Sequence, residues 1–295
     1  NIDNNKLISG IGVSISPNNL SDKVIFAYYY KDPYSSKMSL CVSKSQDNGN
    51  TWVPIGVSKN YLKILFSNNY EKDNTMYLTT SSSVFKSIDL CKNKNLIFKD
   101  NSNGIISFAN NKNQLAILTN KTLNVSNNYG LKWKSSNIPE KSTDVLLKSK
   151  NEIFIYTNNC IYKKKLSTWD KITLHLPADK NISNAIMENN KLIIAQDNVI
   201  TVYDTNTNKY FIKTMSTNIN KLYPANYSKD QETFYCVKND NSLSIIKYHN
   251  AFNNFMEDSI NLPQNNELSD IKMDPIGNNY FSFVSKNIWK KIGVK

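Results

Sequence analysis

The chain has 295 residues, of which 40% are hydrophobic, so it can bury a sizeable core and wholesale disorder is excluded. With 36 basic and 24 acidic residues its formal charge is +12, which favours acidic partners. No stretch approaches the roughly 18 consecutive apolar residues of a membrane-spanning helix, so no transmembrane segment is expected.

All of the basic residues are lysines, because the sequence contains no arginine. The planar guanidinium fork is the usual side chain for reading base edges and for gripping phosphate in a fixed geometry. The lysines are also dispersed, and the densest run is only Lys163 to Lys165. Specific nucleic-acid recognition is therefore not predicted. The basic surface instead favours a protein partner or an acidic glycan.

A short apolar run that follows polar turn residues recurs along the chain at a spacing of about 40 residues. The runs begin at Lys23, Thr75, Gln114, Glu152, Lys191, Thr233 and Asn279. An apolar strand precedes most runs and an alternating segment follows them, so each unit contains four strands, A to D. Units of this kind are typical of propeller blades. The sequence predicts an all-β chain in which residues 1–295 form a single β-propeller domain of seven four-stranded blades, with six blades as the alternative.

The last unit ends soon after Trp289, before a fourth strand is complete. The N-terminal residues Asn5 to Ile8 are expected to supply that outer strand. The N-terminal strand would then close the ring and leave no long exposed sheet edge.

The first unit carries the run S-Q-D-N-G-N-T-W at residues 45–52, between its third and fourth strands. This run resembles the Asp-box, or BNR, motif of the sialidase superfamily of propellers at every defining position. Asp47, two residues after Ser45, is expected to accept backbone N–H bonds, and Gly49 to supply a positive φ. Thr51 is expected to close the turn with its hydroxyl, while Trp52 opens strand D and packs between sheets.

The third unit contains a near copy of this motif, S-N-N-Y-G-L-K-W. Its defining positions are Ser126, Asn128 in place of the aspartate, Gly130 and Trp133. Fainter echoes occur at residues 87–89 and at Trp169-Asp170. The resemblance implies that these residues are structural, because Asp boxes lie at the C–D turns, away from the face that binds ligands.

The same resemblance bears on catalysis. Sialidases of this superfamily hold the sugar carboxylate with three arginines, and they use a Tyr–Glu nucleophile pair and an Asp acid/base. A chain without arginine cannot build that clamp, since lysine does not replace a bidentate fork. A non-catalytic member of the superfamily is therefore predicted. No cofactor is predicted, and no metal, because the spacing of the four cysteines matches no zinc site.

Two alternatives stay open. A glycoside hydrolase or lyase would need paired carboxyl groups about 5 to 10 Å apart. Asp144 and Asp270 are the candidates, because both begin a strand A near the expected channel mouth, although their units are not neighbours. The other interpretation of these residues is a solvated acid at a strand entry. An assembly factor similar to the Asp-box propellers of photosystem biogenesis or receptor sorting is a third possibility, which rests on fold alone.

The longest B–C loop belongs to the first unit and is rich in tyrosine, which offers rigid apolar area with a polar tip. The predicted binding residues there are Tyr28, Tyr30, Lys31, Asp32, Tyr34 and Lys37. The alternative is that alternate tyrosines enter the core. A second segment, around Phe252 and Phe255, either exposes an apolar patch for a protein partner or folds back onto its own blade.

Cys41 and Cys91 fall on neighbouring units and either form a disulfide or stay free, whereas Cys160 and Cys236 are expected to be free and buried. The chain begins at Asn1 rather than methionine, as a processed or trimmed chain would. Together with the basic surface, these features lead to the expectation of a secreted or cell-surface binding module of the adhesion type.

Overall fold

The computed structural model describes residues 8–31, 39–58, 61–102, 104–111, 114–149, 152–174, 181–188, 190–225, 231–240, 242–249, 254–260, 268–273, 279–283 and 290–292. In these ranges the chain forms antiparallel sheets and two one-turn helices, α1 (Asn19–Asp22) and α2 (Tyr70–Asp73). No helix in the described part is long and apolar enough to cross a membrane. The chain divides into two compact units, Asn1–Gly104 with Pro263–Lys295, and Ile105–Leu262.

The first unit contains three sheets, each in sequential strand order. The first sheet consists of β1 (Ile8–Ile15), β2 (Ile25–Lys31), β3 (Ser39–Ser45) and β4 (Val53–Ser58). The second consists of β5 (Tyr61–Phe66), β6 (Met76–Thr80), β7 (Ser83–Ser87) and β8 (Asn95–Lys99).

The second unit contains four sheets, all four-stranded. The third sheet consists of β9 (Ile105–Asn111), β10 (Gln114–Thr119), β11 (Thr122–Ser126) and β12 (Lys134–Asn137). The fourth consists of β13 (Asp144–Ser149), β14 (Glu152–Tyr156), β15 (Ile161–Lys164) and β16 (Trp169–Ile172). The fifth consists of β17 (Ile182–Glu188), β18 (Lys191–Gln196), β19 (Val199–Asp204) and β20 (Tyr210–Thr214). The sixth consists of β21 (Ile219–Pro224), β22 (Gln231–Lys238), β23 (Leu243–His249) and β24 (Asn254–Ile260).

The seventh sheet, which belongs to the first unit, has three described strands: β25 (Leu268–Met273), β26 (Asn279–Phe283) and β27 (Lys290–Ile292). Residues 1–7, to which most of the closing strand was assigned, lie outside the described residues, and Ile8 pairs with Lys31 in the first sheet. The prediction of four-stranded antiparallel units is confirmed for six sheets.

Burial explains why the second strand of each repeat is the most apolar. Every residue of β10 and of β18 is buried. For β18 the cause is that the fourth and sixth sheets cover its two faces. The outer strand β12 is mostly exposed and correspondingly polar. Phe154 and Phe234 are fully buried where the fourth, fifth and sixth sheets pack, and burying such a side chain contributes about 1.5–3 kcal/mol.

Candidate functional site

Hydrogen bonds centred on Ser45 and Asp47 close the C–D turn of the first sheet. The Ser45 hydroxyl accepts the N–H of Gly49 at 2.8 Å and donates to Asp47 Oδ1 at 2.7 Å. Both Asp47 oxygens accept the N–H of Thr51, at 2.9 and 3.0 Å, and Oδ2 also accepts the Thr51 hydroxyl at 2.5 Å. The Thr51 hydroxyl and N–H, followed by Ser45, lower the pKa of Asp47 to about 2. Gly49 has φ of 88°, in the left-handed region that favours glycine.

Trp52 completes this turn. Its Nε1 donates to the carbonyl oxygen of Gly49 at 3.0 Å, and β4 begins at the next residue. The ring packs against Val13 and Ile25 of its own sheet. Trp52 therefore immediately precedes strand D, and these contacts lie within the first sheet. Its packing between sheets stays a prediction.

The same bonding recurs in the third sheet. The Ser126 hydroxyl accepts the N–H of Gly130 at 2.9 Å, and Asn128 Oδ1 accepts the N–H of Lys132 at 2.9 Å. Gly130 has φ of 88°, equal to that of Gly49. Asn128 therefore replaces the aspartate as acceptor, and Trp133 immediately precedes β12.

The second sheet holds a further copy of this turn, at residues 87–93, where the sequence resembles the motif only faintly. Ser87 accepts the N–H of Cys91 at 3.0 Å, and Asp89 accepts the N–H of Asn93 at 2.9 Å. Cys91 stands where the other turns have glycine and adopts φ of 69°. Because glycine defines the motif in sequence, this replacement concealed the turn. The Ser-x-Asp spacing was the signal that could have found it.

The echo at Trp169-Asp170 is not a turn of this kind. The fourth sheet turns more tightly, with Lys165 N–H donating to the Thr168 carbonyl at 3.0 Å. Asp170 lies within β16 and its carboxylate is 2.6 Å from Lys165 Nζ. That interpretation of the pair was wrong, because a two-residue match carries no information on turn length.

Of the two candidate catalytic carboxylates, the structure describes the side chain of Asp144 but not that of Asp270. Asp144 begins β13, where its Oδ1 accepts the hydroxyl of Ser107 and the N–H of Val145, the latter at 2.8 Å. Burial and the nearby Asp144 raise the pKa of Tyr156, so that hydroxyl stays neutral. Asp270 lies in β25, but its side chain is outside the described residues. Asp144 thus bonds to the N–H of the next residue and to Ser107 of β9 in the third sheet, and a catalytic role for it stays a prediction.

The tyrosine-rich loop between β2 and β3 of the first sheet is described only at its start. Tyr28 is buried, and its ring lies against Gly12, as the alternative of a core tyrosine anticipated. Tyr30 and Lys31 are placed in β2 by their backbone, whereas Asp32, Tyr34 and Lys37 lie outside the described residues. The binding role of the loop stays a prediction.

Phe255 folds back onto the sixth sheet, with its ring centroid 4.9 Å from that of Tyr248. Phe252 lies outside the described residues. All four cysteines are buried. Cys160 and Cys236 are free, as expected, and Cys41 and Cys91 form no disulfide. Nowhere in the described ranges do three or more His, Cys, Asp or Glu side chains gather as metal ligands would.

A groove of about 550 Å³ lies between the third and fourth sheets, at the end of the sheets that carries the C–D turns. This is not the face on which the resemblance to Asp-box propellers places ligands. Val125 of β11 and Ile153 of β14 form its apolar floor. Lys134, Ser135 and Ser136 of β12 line one side. Lys163 to Leu166, at the end of β15 and the following turn, line the other. This volume is in the range of ligand-binding clefts.

The groove is positively charged. Its described lining contains four lysines and no Asp or Glu. Lys163 and Lys165 have acidic partners outside the lining, Glu152 at 2.8 Å and Asp170 at 2.6 Å. For Lys134 and Lys164 the described residues provide no ion pair. Lys164 Nζ instead lies 5.0 Å from the ring centroid of Trp169, and burial lowers its pKa.

The turns beside the groove expose large apolar side chains. Leu166 is 99% exposed in the C–D turn of the fourth sheet, and Leu131 is 81% exposed in that of the third. Lys132 and Lys165 adjoin them in sequence and are exposed. In the sequence, Lys163 to Lys165 are recognisable only as the densest basic run. The groove could not be predicted from that run, because Lys134 is distant in sequence and comes near only through sheet packing.

The fold is that of a β-propeller, as comparison with solved structures shows. YCF48 from Cyanidioschyzon merolae is similar over 96% of this chain and 95% of its own, with 12% identity and a TM-score of 0.65. A structure of YCF48 bound to D1 peptide is similar over 95% and 92%, with 10% identity and a TM-score of 0.63.

Two larger proteins contain a similar region. An ancestral GH74 enzyme matches with 14% identity and a TM-score of 0.71 over 97% of this chain, which spans 46% of the enzyme. PorZ, a bacterial surface component of the type-IX secretion system of Porphyromonas gingivalis, matches over 94% of this chain and 36% of its own, with 11% identity and a TM-score of 0.59. No protein-family model and no curated protein matches the sequence. At these identities the likeness establishes the fold alone.

Proposed function

We propose that this chain is a non-catalytic, secreted or surface-displayed propeller that binds an acidic segment of another protein in the groove between the third and fourth sheets. The observation that carries the proposal is the groove itself, whose described lining has four lysines and no acidic residue. An acidic segment would supply the ion pairs that Lys134 and Lys164 lack among the described residues.

The groove combines charge with apolar surface, as recognition of a protein segment requires. Val125 and Ile153 offer an apolar floor, and Leu166 offers an exposed apolar rim. Anchoring side chains that exclude water contribute most of the affinity at protein interfaces, while charges mainly set specificity and association rate. A segment that alternates acidic and apolar residues fits both parts of this lining.

The structural comparisons support a binding role by analogy. YCF48 shares the fold over nearly the whole length of both chains and is a peptide-binding protein in one of the matched structures. PorZ is a surface component, in keeping with the proposed location. Both are under 15% identical to this chain, so the site and the partner are argued from the groove alone.

We also propose membership of the Asp-box superfamily and a seven-bladed ring. Three C–D turns with Ser-x-Asp or Ser-x-Asn bonding support the first part. For the second, the seventh sheet has three described strands, and its strands β25 and β26 contact β1. The N-terminal residues would complete that sheet.

Deleting residues 1–7 is then expected to lower the unfolding midpoint. An unchanged midpoint would contradict the proposal that the N-terminal strand closes the ring.

The test of the function is fluorescence anisotropy with a labelled 12-residue peptide of alternating Glu and Leu. We expect binding that weakens as NaCl is raised, because salt screens the exposed charges. Replacing Lys134 and Lys164 together by Glu is expected to lower the affinity at least tenfold. The matched control replaces Lys121 and Lys209, which are exposed and line no part of the groove, and is expected to leave the affinity unchanged.

Two results would overturn the proposal. One is equal loss in both double variants, which would indicate non-specific attraction to a basic surface. The other is binding of a sulfated glycan but not of the peptide, measured on a glycan array with the same protein. Release of free sugar from that array would overturn the non-catalytic part and bring Asp144 and Asp270 forward.

A further inference from the structure

The groove lies beside the outer edge of β12. Two hydrogen bonds show which way the backbone N–H and C=O groups of this strand point. Ile138 N–H donates to the Lys121 carbonyl at 3.2 Å, which makes these two residues a hydrogen-bonded pair of the β11–β12 ladder. The next pair, Thr122 with Asn137, is then of the non-hydrogen-bonded type. Its backbone groups on the β12 side point away from β11. The Asn137 carbonyl does so, because it accepts Trp169 Nε1 at 2.9 Å.

The backbone groups of Ser135 point the same way as those of Asn137, because their direction alternates from one residue to the next along a strand. The register between β11 and β12 has no irregularity, and residues two apart on a strand direct their backbone groups the same way. The N–H and C=O of Ser135 therefore point outward, as those of Asn137 do. Lys134, Ser135 and Asn137 are all exposed, so this edge is open to solvent.

An aromatic platform flanks the edge. Trp169 of β16 reaches the end of β12 through its bond to Asn137, and Lys164 lies over the Trp169 ring. A segment placed along β12 would have Lys134 near one end and Trp169 near the other, with Lys164 alongside. Lysine on a short edge strand normally protects it from pairing with other strands. The same charge admits an acidic strand while it repels a basic one.

We propose that the acidic segment binds in extended conformation as a fifth strand added to the outer edge of β12, with hydrogen bonds to the N–H and C=O of Ser135. This inference rests on the proposed function, and it specifies the partner as an extended strand rather than a helix. Main-chain bonds give such complexes their affinity, and alternate side chains give specificity. Acidic residues on the side that faces the fourth sheet would meet Lys164.

The test uses the same 12-residue peptide with a single backbone N-methyl group placed at each position in turn. An added strand directs every second peptide N–H toward β12, where Ser135 has the one outward carbonyl that Trp169 does not already occupy. We therefore expect methylation to weaken binding at least tenfold at the peptide position that faces Ser135 and less than threefold at the two positions beside it, so that tolerance alternates there. A loss at every position would indicate a helical peptide, and tolerance at every position a purely side-chain contact. Either result would overturn the inference.

A protein variant tests the same bond from the other side. Ser135→Pro removes the outward N–H and is tolerated at an edge strand, whereas Ser135→Ala removes only the hydroxyl. We expect at least tenfold weaker binding for Pro and little change for Ala, with unchanged unfolding midpoints. Peptide affinity could depend on Lys134 and Lys164, yet show no alternation with methylation and no change in Ser135→Pro. That result would overturn strand addition and leave the proposed function standing. If the unmodified peptide does not bind, both fail.

Discussion

The C–D turns of the first and third sheets share one hydrogen-bond framework and present different surfaces. In both, a buried serine hydroxyl accepts the glycine N–H, and the next framework side chain accepts an N–H four residues further on. Gln46, Asn48 and Asn50 are the variable positions of the first turn, whereas Asn127, Tyr129 and Leu131 are those of the third. The framework thus specifies the backbone, and the variable positions are free to build a surface.

The largest expected effect on stability comes from removing the serine hydroxyls. Ser45→Ala and Ser126→Ala each leave turn N–H groups without their acceptor, and both serines are 1% exposed. A buried donor without an acceptor costs about 1–3 kcal/mol. Urea unfolding should therefore show similar losses for the two variants. A loss in one turn only would show that the two frameworks are not equivalent.

Replacing the turn glycines should cost somewhat less. Gly49 and Gly130 both have φ of 88°, where a side chain costs about 1–2 kcal/mol. A Cβ on Gly49 would meet Trp52 at 3.6 Å, an ordinary contact, so the cost of Gly49→Ala is backbone strain. We expect equal shifts in unfolding midpoint for Gly49→Ala and Gly130→Ala. Unchanged midpoints would contradict the positive φ.

Acid should distinguish the two turns, because only the first has a titrating acceptor. The pKa of Asp47 is lowered from 3.8 to about 2, so its bonds add stability above pH 4 that is lost as the pH falls through 2. Asp47→Asn, which copies the third turn, should flatten the pH dependence of unfolding in this window. Asn128→Asp should steepen it. Parallel curves for all three proteins would refute the assignment.

The smallest effect on stability is expected at the exposed apolar tips. Leu166→Ser and Leu131→Ser change side chains that are 99% and 81% exposed, so the free energy of unfolding should move by less than about 0.5 kcal/mol. If these side chains serve binding, peptide affinity should nevertheless fall several-fold for Leu166→Ser. Asn50→Ser in the first turn is the control and should leave affinity unchanged. An affinity equal to that of the unmodified protein would remove Leu166 from the site.

The sequence alone determined the repeat, the strand order within each unit and the chemistry of the first and third C–D turns. These features are local: alternation of apolar residues specifies a strand, and Ser45, Asp47 and Gly49 lie within one turn of chain. Sequence also predicted that Cys160 and Cys236 are buried and free. The sequence indicated the second turn only weakly, because Cys91 stands where the motif has glycine and adopts the positive φ in its place.

Only the tertiary structure decided where the basic surface becomes a site. Lys134 and Lys164 are 30 positions apart in sequence and line one groove because the third and fourth sheets pack face to face. Tertiary packing likewise buried Tyr28 and folded Phe255 onto Tyr248, where sequence left both outcomes open. Local pattern specifies which residues form a strand. Which side chains meet across two sheets depends on how those sheets pack, and no periodicity in the chain records it.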